Sequence, residues 1–371
     1  LYGFSLDEIS CEKTNPTNQK LSNLYGYRTH NGYVKCLSIS DDGKLLVTGG
    51  VDELIKIYNL ERNKEVGDLQ QHSGAVTSLK FVKNSHLLSG SEDRTICIWR
   101  VSNWTLMHVL GGHKGTVNCI SVHPSNKLAM SISSDRTLRL WNLIEGRIAY
   151  IKRLQGCGEI VKWSEQGNYF AAVVNDNLII FDASSNENPT NVKFPTKISC
   201  MCWLSDFALV AVFKNTHLKI LKFNGENLAT EDISNVCGQR IREILFCKSG
   251  DANFFVASTS DGKILVWKVF IELLSKEKFE RFDQIFTLIA VNIVQGQPRF
   301  TCLEAHFYKK SENVISSAKV ENEEKEKNEP IKSESRKNNE KLKKEKMNGK
   351  NEKKVFANKK NKLAVKRQKR K

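Results

Sequence analysis

The chain lacks any apolar run close to the ~20 residues that a bilayer-spanning helix needs, so no such span is expected. Residues Leu1 to Ser10 lack a basic start followed by an apolar stretch, and no secretory signal is expected there. CxxC is also missing. Ten cysteines are scattered over 371 residues, and the only close pair is Cys200 and Cys202. A dense disulfide framework or a paired-cysteine zinc site is therefore not expected. The thiols read as small, reduced, apolar fillers of a cytosolic or nuclear chain. There is no GxxxxGK[ST], and no GxGxxG between a strand and a helix, so no phosphate cradle is expected; "GGHKG" and "VTGG" hold turn glycines. Histidine is scarce, with eight in the chain. The expectation is no metal, no cofactor and no catalytic site.

Charge is plentiful but unevenly placed. Residues 309–371 hold 23 basic and 10 acidic side chains, net +13, while residues 1–308 hold 34 and 31, net +3. The formal charge of +16 therefore belongs mostly to a tail. The hydrophobic fraction of 40% is low for a fully folded chain. The length allows one large core or two ordinary ones.

The body repeats. "HNGYVKCLSISDDGKLLVTGGVDELIKIYNL" from His30, "HSGAVTSLKFVKNSHLLSGSEDRTICIWRV" from His72 and "HKGTVNCISVHPSNKLAMSISSDRTLRLWNL" from His113 align. The histidines recur after 42 and 41 residues, and the closing aromatics Tyr58, Trp99 and Trp141 after 41 and 42. Asp52, Asp93 and Asp135 each precede the aromatic by about six residues. Short alternating runs such as "VTSLKF" and "TICIW" between Gly, Asn, Ser and Asp turns predict four strands per unit. A four-stranded unit of about 40–45 residues is similar to a WD40 propeller blade. Weaker units follow: one with Asp176 and Phe181, one with Asn215 and Leu221 at the Asp and Trp positions, and one with Asp261 and Trp267. "RFTCLEAHF" from Arg299 reads as the innermost strand of a seventh unit, and "LYGFSL" as a spare N-terminal strand that completes the last blade. The expected fold is all-β: a seven-bladed WD40 β-propeller over 1–308, followed by a disordered, Lys-rich tail over 309–371. The stretch Val269 to Pro298 matches the repeat least, and "FIELLSKEKFERF" within it is expected to form a helical or irregular insertion.

His72, Ser89, Asp93 and Trp99 match the hydrogen-bonded tetrad of WD40 blades, as do His113, Ser131, Asp135 and Trp141. The indole N–H only donates, the hydroxyl relays, and the carboxylate holds the imidazole. His30, Thr48, Asp52 and Tyr58 form a partial set, and Asp261 with Trp267 a poorer one, because Ala257 stands at the Ser position. A Ser-His-Asp triad has similar members. A catalytic triad, however, occurs once, beside an oxyanion hole, whereas this set recurs in successive blades. The tetrads are read as structural. Cys36, Cys119, Cys200 and Cys302 occupy one recurring place in the innermost strands, which suits a crowded position that takes only small side chains.

The tail has one aromatic, Phe356. It cannot bury enough apolar surface to offset chain entropy, although "NEKLKKEKMNGKNEKK" has Glu–Lys spacing suited to a transient helix. Lys359, Lys360, Lys362, Lys366, Arg367, Lys369, Arg370 and Lys371 read as nuclear targeting or as an RNA contact. With one aromatic, such contact would run through phosphates and depend steeply on salt. No lipidation motif points to a membrane.

The wording from His86 to Arg153, with "YGFSL" and "RFTCLEAHF", resembles the PAK-interacting-protein family of WD40 proteins. The resemblance implies a nucleus- and nucleolus-located scaffold in large-subunit (60S) ribosome assembly and pre-rRNA processing. Its implied partners are pre-ribosomal proteins and, through the tail, pre-rRNA, with the chain a monomer within larger complexes. For animal members it also implies binding to p21-activated kinase and restraint of that kinase. A third reading, a histone-tail or phosphopeptide reader, predicts a pocket of one charge sign at the mouth of the ring.

Overall fold

The computed structural model describes residues 2–5, 22–26, 30–185, 188–206, 208–213, 217–222, 226–232, 239–249, 252–270, 286–293 and 301–305. Contacts divide the chain into two units, Leu1–Tyr308 and Lys309–Lys371. All described residues lie in the first.

β1 (Tyr2–Ser5) and β2 (Ser22–Gly26) pair as a two-stranded sheet. Six four-stranded antiparallel sheets follow in chain order. The first blade is β3 (Val34–Ile39), β4 (Leu45–Gly50), β5 (Ile55–Asn59) and β6 (Lys64–Leu69). The second is β7 (Val76–Val82), β8 (His86–Ser91), β9 (Ile96–Arg100) and β10 (Thr105–Leu110). The third is β11 (Val117–Val122), β12 (Leu128–Ser133), β13 (Thr137–Asn142) and β14 (Arg147–Arg153). The fourth is β15 (Gly158–Trp163), β16 (Tyr169–Val174), β17 (Asn177–Asp182) and β18 (Thr190–Lys193). The fifth is β19 (Ile198–Ser205), β20 (Ala208–Phe213), β21 (His217–Lys222) and β22 (Asn227–Asp232). The sixth is β23 (Ile241–Ser249), β24 (Ala252–Thr259), β25 (Lys263–Val269) and β26 (Phe286–Ile293).

Each blade is an antiparallel meander of strands four to nine residues long, most of them joined by short turns, with residues 270–285 separating β25 from β26. The second and third strands are joined by a turn just after the recurring aspartate. Its next residue has positive φ: Glu53, Arg94, Arg136 and, in the sixth blade, Gly262. The first strands of successive blades pack on one another in chain order, β3 on β7, β7 on β11, β11 on β15, β15 on β19 and β19 on β23. Each of these strands has a register shift at its second residue, as between Val34 and Cys36 or Val117 and Cys119. A bulge there adds twist and turns the second side chain off the ladder.

The core lies between blades rather than within them. Val47, Ile55 and Ile57 of the first blade cluster with Leu79, Leu87 and Trp99 of the second. Equivalent clusters join blades two to three, three to four, four to five and five to six. The second to fifth blades have a neighbour on each face, which explains strands such as β9, ICIWR, whose first four residues are all buried.

The structure corrects the expected blade count: the described residues hold six four-stranded blades, not seven. Later in the stretch from Val269 to Pro298, Phe286–Ile293 form β26, which pairs with β25 as the outer strand of the sixth blade. That blade is complete without the N-terminus, and β1 pairs with β2 instead. Residues 301–305, expected as an innermost strand, belong to no strand. "FIELLSKEKFERF" and the tail lie outside the described residues.

Candidate functional site

In the third blade Trp141 Nε1–H donates to Ser131 Oγ at 2.8 Å. Ser131 Oγ is 2.7 Å from His113 Nε2, and His113 Nδ1 is 2.9 Å from Asp135 Oδ2. Only one tautomer satisfies this chain: Ser131 donates to Nε2, and Nδ1–H donates to the carboxylate. Asp135 also accepts the backbone N–H groups of Lys114 and Thr137 at 2.9 Å each, and the Thr137 hydroxyl at 2.7 Å. The second blade repeats the set. Trp99 to Ser89 is 2.9 Å, Ser89 to His72 is 2.8 Å, and His72 to Asp93 is 2.7 Å. In the first blade His30 lies 2.8 Å from Thr48 Oγ1 and 2.7 Å from Asp52, with Tyr58 buried at the Trp position.

These groups sit where water is excluded. The side chains of His72 and His113 are 1% exposed, and Ser89 and Ser131 are fully buried. Burial pushes the His113 imidazole below its usual value, outweighing the opposite pull of Asp135. Burial alone would raise Asp135, yet its carboxyl falls to about 2, because Thr137, the Lys114 N–H and His113 all bond the charged form. Each tetrad ties the loop entering a blade to the turn between its second and third strands.

The later blades use other ties. In the sixth, Asp261 accepts from the Thr259 hydroxyl and pairs with Lys263 at 3.3 Å; Trp267 packs on Phe255, with ring centres 5.5 Å apart. In the fourth, Asn175 rather than Asp176 holds the loop, exchanging two hydrogen bonds with Cys157 at 3.1 and 3.2 Å. Phe181 stacks on Phe170 at 4.6 Å. The structure does not bring Asp261 and Trp267 into one hydrogen-bonded set.

Sequence reasoning missed Arg139. It is 8% exposed and donates to the Gly112 carbonyl at 2.6 Å, bracing the loop that carries His113. The charges of the inner strands were also missed. At the places filled by Ser38 and Ser121 in other blades stand Lys80 and Lys162, and at the place of Ser78 stands Glu243. Lys80 could have been found as a lone charge inside an apolar strand, whereas β15 and β23 carry other charges beside Lys162 and Glu243. Lys80 pairs with Glu304 at 3.5 Å. Glu304 raises the Lys80 ammonium, and burial pushes the Glu243 carboxyl up against the pull of Lys162 and Lys80. The inner ring therefore carries both signs of charge. Cys36 and Cys119 reach the next blade's Val76 and Val161 carbonyls at 3.4 and 3.5 Å. Burial raises the Cys36 thiol and pushes Cys202, Cys247 and Cys302 up to about 12, which keeps them as thiols. The eight described cysteines are free, and among the described residues no group of three or more His, Cys, Asp or Glu is placed to hold a metal ion. Lys359 to Lys371 lie outside the described residues.

Residues 21–59, 63–100 and 104–142 match the family described as WD domain, G-beta repeat. The p21-activated protein kinase-interacting protein 1-like protein of Danio rerio is 35% identical over 245 residues, 66% of this chain and 66% of its own length. That of Gallus gallus is 32% identical over 276 residues, covering 74% of this chain and 72% of its own. Protein MAK11 of Saccharomyces cerevisiae is 28% identical over 303 residues, 70% of this chain and 72% of its own. Among solved structures, U3-55K superposes with a TM-score of 0.63 at 14% identity, over 74% of this chain and 86% of that one, a likeness of fold.

Proposed function

The chain belongs to the p21-activated protein kinase-interacting protein 1-like family of WD40 proteins, and on that premise we propose that it is a non-enzymatic propeller scaffold in nucleolar assembly of the large ribosomal subunit. Its tetrads brace the blades and turn over no substrate. Its loops and faces dock pre-ribosomal proteins. Residues 309–371 deliver the chain to the nucleolus and grip pre-rRNA phosphates, with Lys359, Lys360, Lys362, Lys366, Arg367, Lys369, Arg370 and Lys371 as the main contacts. The observation that carries this reading, beside the family, is the division of charge: a body of net +3 and a tail of net +13. A polycationic tail binds phosphate chains by releasing counterions, without reading sequence.

A second reading, direct binding to a p21-activated kinase, is favoured by the names of the zebrafish and chicken relatives, and restraint of that kinase is what the family resemblance adds to it. Affinity purification followed by sedimentation separates the two. Co-migration with large-subunit precursors, weakened in a chain ending at residue 308, is the outcome expected of an assembly scaffold. Recovery of the kinase alone, with no pre-ribosomal particle, would overturn that reading.

A further inference from the structure

Among the described residues seven large apolar side chains are exposed, and three of them, Ile144 (71%), Tyr150 (56%) and Ile151 (45%), belong to the last hairpin of the third blade. That hairpin ends in β14, RIAYIKR, in which five of the seven residues are exposed. β14 is the terminal strand of its sheet, so its outer row of backbone N–H and C=O groups faces no neighbouring strand of that sheet.

The register puts the two apolar strand residues on opposite faces. Ile151 stands opposite Arg139, whose guanidinium turns to Gly112 in the loop arriving from the second blade. Tyr150 stands opposite Leu140, which packs into the cluster between the third and fourth blades. Lys152, on the face of Tyr150, lies 4.3 Å from the centre of the Phe181 ring in the fourth blade. A helix laid against the blade would cover one face and leave the other apolar side chain wet. A strand added beside β14 covers both, because its own side chains alternate.

Charge narrows the occupant. β14 carries three basic residues, Arg147, Lys152 and Arg153, and no acidic one. The outer strands β6 and β22 carry acidic residues, β18 carries one lysine, and β10 and β26 carry no Lys, Arg, Asp or Glu. Glu145, in the turn before β14, pairs with Arg147, which leaves Lys152 and Arg153 in excess. Like charges directly opposite weaken a strand pair and opposite charges favour it. The strand therefore repels a second copy of itself and selects an acidic neighbour.

We propose that β14 is a docking edge for a partner protein, which adds an extended segment with an apolar centre and acidic flanks as a fifth strand of the third blade. Tyr150 and Ile151 meet the segment's apolar side chains, one on each face, and Arg147 and Arg153 pair with its carboxylates. This edge belongs to the scaffold inferred above, and its assignment rests on that reading.

The probe is a fluorescein-labelled peptide, "EDVTIYVDE", added to the full chain. Hydrogen exchange should slow at β14 amides and stay unchanged at β6 and β10. Fluorescence anisotropy should show affinity falling about tenfold in Tyr150→Thr with Ile151→Thr, and about tenfold in Arg147→Glu with Arg153→Glu. All four side chains are exposed, so the thermal midpoint should hold in both variants. Val66→Thr, on the exposed part of β6, should leave binding unchanged, and "KKVTIYVKK" should not bind. Absence of β14 protection, or an equal loss in Val66→Thr, would overturn the assignment. Protection of β14 by an oligouridylate but not by the peptide would give the edge to nucleic acid and overturn it too. Peptide failure with co-sedimentation on large-subunit precursors intact would sink the edge alone; peptide binding without co-sedimentation would sink the assembly role alone.

Discussion

One hydroxyl in each complete tetrad has two tasks: it accepts an indole N–H and donates to an imidazole. Ser131→Ala strands both partners in a site that water does not reach. The unmet groups cost about 1–3 kcal/mol together with the lost bonds. Urea denaturation should show that loss; an unchanged midpoint would mean the chain of bonds contributes nothing. The same site gives a pH dependence. His113 is held below its usual 6.5, so the folded state binds its proton more weakly than the unfolded state does. Its contribution is intact above about 6.5 and is lost as the pH falls below that. Asp135, lowered from 3.8 to about 2, adds a second loss between those two values. The melting temperature should fall from pH 7 to pH 5, less steeply in His113→Asn, and fall again below pH 4. A flat profile would contradict both assignments. His72, Ser89, Asp93, Trp99 and their third-blade counterparts were legible from their recurring spacing set against the WD40 pattern they resemble, because a repeated network needs the same residues at the same intervals. Arg139 was not, because nothing local says that its guanidinium turns onto Gly112.

Blades are held apart by what little can fit between them. A Cβ on Gly49 would lie 2.6 Å from Val76 Cγ1 and 2.8 Å from Cys36 Sγ, one from the next blade and one from its own. Val76 is β-branched and cannot swing aside. Gly49→Ala should therefore cost about 1–3 kcal/mol, seen as a lower thermal midpoint; a neutral substitution would show the junction to be loose. Strands and turns were readable at this scale, since alternation and turn residues act within a few positions. The outer strand β26 was not assigned, although FTLIAVNI is an apolar, β-branched run. Outer strands carry no tetrad member, so the motif that marks the other strands gave no anchor. Where the motif faded, the fourth blade holds its loop through Asn175 and Cys157, and in the sixth blade Asp261 bonds Thr259 and Lys263 within its own turn, contacts that no fixed pattern encodes.

The whole molecule divides as the charge divides, into a nearly neutral body and a cationic tail. Five clusters between neighbouring blades make the body cohesive only as far as the blades are joined in a row. An open row leaves two apolar faces bare, and a closed ring leaves none. A charged inner ring of mixed sign also argues against a central pocket for a peptide of one charge. By itself the sequence determined the repeat, its period, the tetrads and the separation of tail from body, because each depends on residues within about forty positions of one another. Only the tertiary structure decided that six blades are complete, that β26 finishes the sixth, and that Lys80 meets Glu304 across 224 residues. Those contacts follow from how the row of blades curves back on itself, which no local preference specifies.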